Sequence, residues 1–402
     1  MKVSGKTVGT NQLFLASLGM MAFFYGIKQI YVFTNNNIIE GVNDAVQVIS
    51  YLLLLFIILK RSFKIKWFKY VAITAVIILI GLDHSRSTGI LRWSLITLAS
   101  RDMSYRKILK TLFRVYGAVL CISIVLYVLG LSNPIIVDDG ISLGFSHPNI
   151  AALLITTELF LWLCLKEKVD WKSILIYFLF AATIHIFLET RVAAICLAFF
   201  PILYKVIQWG KKKDNKLIKI LACYSQVIIC VLSYLMVVIY PMAIYNPLRG
   251  KIDQLLAYRP YLNFNNIMKY GVSIWGQNVS IYNTTDYAFN YFSGYVSNQK
   301  FNTVDNAYIL GLIATGIIPM LIMIICFVIV QKKAWKNGNT LLIAIGVMFA
   351  IYAFIENGAN EALFVFPYYY LVAKDDTKID KTFARNEIQA IPFLKRRYRL
   401  DT

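Results

Sequence analysis

Ionisable and amide side chains lie at the ends of several long apolar runs in this chain. The loop GFSHPN carries His147 and Asn149 just before one run, and the tight hairpin FLETRVAA holds Glu189 and Arg191 between two others. Charged groups next to or within apolar segments of spanning length are costly in a membrane, so they generally serve a function. These positions are the first candidates for a site.

Further along the chain, other segments add residue types that bind anions or transfer protons. Arg259 lies in the sequence AYRPY, where a guanidinium can bind a phosphate through two hydrogen bonds. Asp305 and Asn306 open the run VDNAYILGLIATGIIP, and Glu356 lies in FIENGANEA. Each group also has a structural alternative, namely a helix cap, an ion pair within the membrane or a contact with a lipid headgroup.

The elements that must position these residues are membrane spans. The chain has 402 residues, of which 58% are hydrophobic and only 15% are charged, whereas soluble domains carry about 25% charged residues. This composition excludes a soluble globular protein. It predicts an all-α, polytopic transmembrane bundle of about 12 spans, with 11 to 13 as the range, because about 20 apolar residues cross a bilayer. The predicted spans are 13–33, 45–59, 70–82, 89–100, 112–131, 150–165, 174–188, 192–209, 217–240, 304–330, 341–355 and 362–373.

The placement of basic residues predicts the orientation of these spans. The chain has 41 Lys and Arg against 21 Asp and Glu, a formal net charge of +20. Most of the cations fall in alternate connections, together with the tail at 374–402, as the positive-inside rule requires for cytoplasmic segments. Lys28, Arg92 and Lys205 remain within spans. Both termini are therefore predicted to be cytoplasmic in a multi-pass protein of the cell membrane, and nucleic-acid binding is not needed to explain the charge.

The chain reads as one integral membrane domain, 1–402, with one long extracytoplasmic loop at 241–303. Tyr, Phe, Trp, Asn and Gly dominate this loop, and an apolar periodicity over 252–267 predicts an amphipathic helix. Amides that bond hydroxyl groups and rings that stack on pyranoses make Tyr258 and Trp275 candidates for sugar binding. The alternative is an aromatic belt at the membrane interface.

The order of these motifs gives a family resemblance. GFSHPN, the TR doublet, R-P-Y and W-G in the large loop, DNAY and the late E-N-N turn occur in this sequence on one predicted side of the membrane. Over roughly 144–366, the chain resembles the O-antigen polymerase/ligase superfamily. Within that superfamily it is most similar to the Wzy-type capsular and exopolysaccharide repeat-unit polymerases of Gram-positive bacteria.

The resemblance implies an inverting, metal-independent membrane glycosyltransferase with a GT-C-like bundle and no cofactor. Its donor and acceptor would be undecaprenyl-diphosphate-linked oligosaccharides, and membrane lipid, a chain-length regulator and a flippase would be its other partners. By matching motif, Arg191 and Arg259 would hold the donor diphosphate. The resemblance does not assign a base for the acceptor hydroxyl, and Asp305 and His147, in that order, are the candidates by their residue types. The remaining candidate substrate-binding residues are Asn149, Tyr258, Trp275, Asn306, Tyr308, Glu356 and Asn360.

Two other functions compete with the polymerase. A ligase of the same superfamily would carry an important His in the large loop, but 241–303 contains none. A transporter, including a flippase for lipid-linked oligosaccharides, also fits twelve spans with both termini inside. It would not need the long outer loop, and a major-facilitator protein would carry a long central loop where this chain has only KEKVDWK.

Overall fold

The structure is a computed structural model that describes residues 4–34, 36–60, 88–132, 140–167, 169–240, 259–279, 304–360 and 365–376. These residues form a helical bundle without β-strands, and their only extended pairings are two isolated bridges, Ile30 with Phe145 and Ser104 with Lys374. The all-α prediction is confirmed for this part of the chain. The predicted span 70–82 and most of the loop 241–303 lie outside the described residues.

Thirteen α-helices make up the described bundle. They are α1 Ser4–Lys28, α2 Asn37–Lys60, α3 Thr88–Ala99, α4 Tyr105–Val128, α5 Pro148–Lys166, α6 Trp171–Phe187, α7 Arg191–Lys212, α8 Lys216–Cys223, α9 Ser225–Ile239, α10 Arg259–Tyr270, α11 Ala307–Leu310, α12 Ile317–Asn337 and α13 Thr340–Ala353. Short 3₁₀ helices occupy Tyr31–Phe33, Asn357–Asn360 and Phe366–Leu371.

Five of these helices are long and apolar enough to cross a membrane: α2, α4, α5, α7 and α12. The pair α8 and α9, bent by 65° at Tyr224, makes a sixth candidate span. Helices α3, α6 and α13 are apolar but shorter. Exposed Leu, Ile, Val and Phe side chains cover the outside of several of these helices, as expected where a bundle faces lipid rather than water. The structure therefore supports a membrane protein.

Basic residues collect at one end of the bundle, which we call the basic end. It contains the connections at 101–107, 166–172, 211–219 and 332–339 and the segment 374–376. Backbone hydrogen bonds from Lys374 to Met103 and from Tyr105 to Lys374 hold part of this end together. Polar caps fix where its helices start, because the side chains of Ser104 and Asp170 each accept a bond from a backbone N–H three residues later.

The opposite end, called the far end, joins the residues that follow α1, α6 and α13 to those that precede α5, α7 and α11. The backbone N–H of Ser146 donates to the Gln29 carbonyl, and that of Ile141 donates to the Phe187 carbonyl. Helix α10 also lies here, overlapping the amphipathic segment predicted from 252–267. The bundle thus brings segments that are distant in sequence to one face.

A break between α11 and α12 receives the segment that follows α10. Residues 311–315 form a short π-helix, and Gly316 then takes a φ of 95°. A Cβ atom at Gly316 would lie 2.3 Å from the backbone nitrogen of Gly276, so only glycine fits. The carbonyls of Ser273 and Ile274 accept bonds from the first N–H groups of α12. The segment therefore satisfies backbone donors that the broken helix leaves exposed.

The last part of the bundle runs as a 3₁₀ helix through the protein interior. Every residue from 365 to 370 is buried, and Lys333 on α12 donates to the carbonyls of Tyr370, Leu371 and Ala373 at 2.6, 3.2 and 3.2 Å. Hydropathy predicts a span at 362–373, and within it the described residues Phe366–Leu371 form this 3₁₀ helix. Irregular backbone is stable at membrane depth when protein surrounds it.

Candidate functional site

Arg259, the first residue of α10, is the centre of a charged cluster at the far end. Its Nε donates to Oδ2 of Asp305 and its Nη2 donates to Oε1 of Glu356, both at 3.1 Å. Two of the three guanidinium nitrogens, Nε and Nη2, are therefore used, while no described residue accepts a bond from Nη1, which remains available for a further acceptor. The cluster joins α10 to the segment before α11 and to the turn after α13.

Helix α5 contributes a fourth segment to this cluster. The side-chain amide of Asn149 donates to Oε1 of Glu356 at 3.1 Å. The structure thus unites four of the residues that the sequence singled out, Arg259, Asp305, Glu356 and Asn149, in one connected set of hydrogen bonds. Between 13% and 27% of each charged side chain is exposed, so a ligand from the far end can reach the guanidinium.

One guanidinium here faces two carboxyl groups, and the protonation of Glu356 resolves the imbalance. The pKa of Glu356 is raised to about 8, chiefly by burial and also by the neighbouring Asp305 carboxylate, although Arg259 and the Asn149 amide act to lower it. At neutral pH the Glu356 carboxyl is then mainly protonated. Its Oε1 accepts two hydrogen bonds, which leaves Oε2 as the oxygen for the proton. The cluster as a whole is close to neutral before a ligand binds.

His147 starts α5 and is committed to that role through one ring nitrogen. Its Nδ1 accepts a hydrogen bond from the backbone N–H of Asn149, and Pro148 occupies the first helical position. In the neutral ring the proton must therefore sit on Nε2. With its proton on Nε2 and its Nδ1 already accepting a bond, His147 is poorly suited to accept a proton from a substrate. The Asp305 carboxyl group, which lies in direct contact with Arg259, is better placed for that role.

Asn306 and Tyr308 hold Asp305 in place. The side-chain Oδ1 of Asn306 accepts bonds from the backbone N–H groups of Tyr308 and Ile309, and its side-chain Nδ2 donates to the Ser233 hydroxyl on α9. The Tyr308 hydroxyl donates to the Ala350 carbonyl at 2.9 Å. Both side chains are fully buried, so in this structure they position the start of α11 and do not face a ligand.

Two further asparagines lie in the segments that form the site. Asn357, part of the E-N-N turn that the sequence indicated, donates from its side chain to the Val304 carbonyl at 2.9 Å and so ties the turn after α13 to the segment that carries Asp305. Asn263, which the sequence did not single out, lies one helical turn after Arg259 in α10 and is 1% exposed, and neither its amide nitrogen nor its oxygen bonds to any described residue. A buried carboxamide without partners is costly. Its position four residues after Arg259, on the same helix face, was the sequence signal that could have identified it.

Within the described part of the chain, Arg191 and Trp275 are not part of the cluster's hydrogen bonds. Arg191 begins α7, is exposed, and makes no hydrogen bond or ion pair with any described residue. Trp275 is 40% exposed in the segment that enters the helix break. Asn360 ends the 3₁₀ turn Asn357–Asn360, and Tyr258 lies outside the described residues.

In the described part of the chain, no group of three or more His, Cys, Asp or Glu side chains is arranged to hold a metal ion. The charged side chains that the structure brings together at the far end include Arg259 and its two carboxyl partners, Asp305 and Glu356. In comparisons with known proteins, no family model, curated protein or solved structure matches this chain.

Proposed function

We propose that this protein is a polysaccharide polymerase that joins undecaprenyl-diphosphate-linked oligosaccharide repeat units at the outer face of the cytoplasmic membrane, in capsule or exopolysaccharide biosynthesis. The observation that carries the proposal is the convergence of Arg259, Asp305, Glu356 and Asn149 at the end of the bundle opposite the basic residues. The resemblance to Wzy-type polymerases supplies the substrate class.

The cluster suits the transfer of a glycosyl group from a lipid diphosphate. The hydroxyl oxygen of the acceptor sugar attacks the anomeric carbon of the donor, and the bond from that carbon to the diphosphate breaks. The acceptor proton goes to Asp305, and the diphosphate leaves with the bonding electrons. Attack opposite the leaving group inverts the anomeric centre. Arg259, with Arg191 at the start of α7, stabilises the charge on the departing diphosphate.

Because Glu356 is protonated, Arg259 can bind a diphosphate while it is also paired with Asp305. A neutral carboxyl competes weakly for the guanidinium, and the unused N–H groups point to capacity for a second anion. Asn263 offers a buried donor and acceptor one turn away on α10. An amide of this kind suits a sugar hydroxyl or an N-acetyl group next to the diphosphate.

We also propose how the chain lies in the membrane. The bundle would be GT-C-like and have about 12 spans. The basic end and both termini would be in the cytoplasm, and the far end, together with 241–303, would be outside. The clustering of Lys and Arg in the described connections at one end supports this orientation. The site would then meet lipid-linked sugars after a flippase has carried them across.

Cysteine labelling tests the orientation. Lys269 at the far end and Lys213 at the basic end are both exposed. After the six native cysteines are replaced, Lys269→Cys should react with an impermeant maleimide in intact cells, and Lys213→Cys only after permeabilisation. The reverse pattern would overturn the orientation and with it the outer location of the site.

Purified protein supplied with lipid-linked repeat units tests the activity. We expect a ladder of products that differ by one repeat unit, and we expect it to form in excess EDTA because guanidinium groups take the leaving-group charge. Loss of the ladder in EDTA, with recovery on adding Mg²⁺ or Mn²⁺, would contradict the metal-independent mechanism. Transfer of a single chain to a different acceptor would favour the ligase. Movement of lipid-linked sugar between leaflets without any new bond would favour the transporter.

A further inference from the structure

Lys205 is a cation within a predicted membrane span. Neither the positive-inside distribution of basic residues nor the proposed catalytic site accounts for it. It lies within α7, seven residues before the helix ends at Lys212, which corresponds to a distance of about 10 Å along the helix axis from that end. Its side chain is exposed and makes no ion pair or hydrogen bond with any described residue. A charge at this depth is costly unless an anion accompanies it.

The surroundings of Lys205 form a groove between α6 and α7. The groove has a volume of about 520 Å³, and apart from Lys205 its lining residues are apolar or aromatic. This volume falls within the range of about 300–1,000 Å³ that is usual for small-molecule sites. Phe178 and Ile202, which line it, are 46% and 55% exposed, so the groove opens outward from the bundle.

The lining residues are ordered along the two helices. Ile202, Lys205 and Trp209 follow one another at helical spacing on a single face of α7, and Ile174 and Phe178 do the same on α6. Phe178 and Ile202 lie further from the basic end, while Trp209 lies nearest to it. An indole at that level is typical of the boundary between hydrocarbon and headgroups.

We propose that this groove binds one anionic phospholipid of the leaflet at the basic end, with an acyl chain in the groove and its phosphate paired with Lys205. Charge complementarity selects this occupant, because the groove offers one cation and no acidic side chain. The Lys205 stem extends toward the headgroup level while its ammonium meets the phosphate, as long cationic side chains do near membrane interfaces. The site is separate from Arg259 and does not depend on the polymerase proposal.

Native mass spectrometry of the full-length protein in detergent tests this site, with phosphatidylglycerol and phosphatidylcholine supplied in equal amounts. Wild-type protein should retain one phosphatidylglycerol in preference to phosphatidylcholine. Lys205→Gln should weaken that binding about fivefold, the effect of about 1 kcal/mol that one cation contributes near an anionic surface. Lys216→Gln, exposed at the same end but outside the groove, should weaken it less than twofold.

A second variant tests the acyl-chain half of the proposal. Ile202→Trp adds bulk at an exposed position, so the fold should tolerate it, but the indole would fill the groove. We expect phosphatidylglycerol retention to fall at least as far as in Lys205→Gln. Equal retention of both lipids by the wild type, or unchanged retention in either groove variant, would overturn the proposal and indicate only unspecific lipid around the bundle.

Discussion

Arg259→Ala should abolish polymer formation, lowering the rate by about 10²-fold to 10³-fold or more, as expected when a donor to a developing negative charge is removed. Arg259 is the group that contacts both Asp305 and Glu356 and retains N–H groups for a diphosphate. Arg259→Lys should restore little activity, because an ammonium lacks the planar fork that binds two oxygens at once. The measurement is the product ladder from purified protein and lipid-linked repeat units.

Loss of activity in Arg259→Ala has a structural alternative, because removing Arg259 leaves the Asp305 carboxylate without its cation. Arg259→Lys separates the two explanations, since the ammonium keeps the positive charge but lacks the planar fork. If Arg259 only balances charge, the Lys variant should keep both thermal stability and product. We expect it to keep stability without product. Lys269→Ala, exposed in the last turn of the same helix, is the matched control and should keep the wild-type ladder. A normal ladder from Arg259→Ala would refute the assignment.

Asp305→Asn should lower kcat by about 10²-fold to 10⁴-fold, the usual contribution of a general base. The KM for the donor should change only a few-fold, because Asn keeps an oxygen that can accept the bond from Arg259 Nε. A change confined to kcat indicates an interaction made in the transition state. Steady-state rates at several donor concentrations distinguish the two effects. A larger loss in His147→Ala than in Asp305→Asn would reverse the ranking of the two bases.

Glu356→Gln is the control for the second carboxyl group, and it gives the pH dependence a definite sign. Since the pKa of Glu356 is raised to about 8, the wild-type carboxyl is neutral at pH 7 and Gln resembles it, so the variant should be nearly as active there. As the pH rises through 8, wild-type Glu356 ionises and competes with the diphosphate for Arg259. Donor affinity should then fall in the wild type but not in Glu356→Gln. Strong inactivation of Glu356→Gln at pH 7 would contradict the neutral state.

Much of the local structure could be predicted from the sequence. Hydropathy identified the runs that became α2, α4, α5, α7 and α12, because burial in a membrane or core requires a long apolar segment. The pair His147 and Pro148 marked the start of α5, since the cap and fixed φ act within a few residues. Apolar periodicity over 252–267 likewise indicated a helix, which the described residues show over Arg259–Tyr270.

The assembly of the site could not be predicted in the same way. Arg259 meets Asp305 and Glu356 across 46 and 97 residues of sequence, and no local pattern specifies which carboxyl a guanidinium will contact. Asn306 looked like a substrate ligand, but its amide is used by the helix that it caps. Hydropathy also does not distinguish an α-helix from the 3₁₀ helix at Phe366–Leu371, because both bury the same apolar side chains.

The enclosed 3₁₀ segment constrains the order in which the chain can be assembled. Its residues 365–370 are buried in protein. The carbonyls of Tyr370, Leu371 and Ala373 accept hydrogen bonds from the Lys333 ammonium. Such a segment cannot leave the insertion machinery sideways into lipid, because its unsatisfied backbone groups would enter hydrocarbon. It must instead thread into a cleft that α12 and its neighbours have already formed. The placement of this segment is therefore a tertiary folding event that waits for the helices synthesised before it.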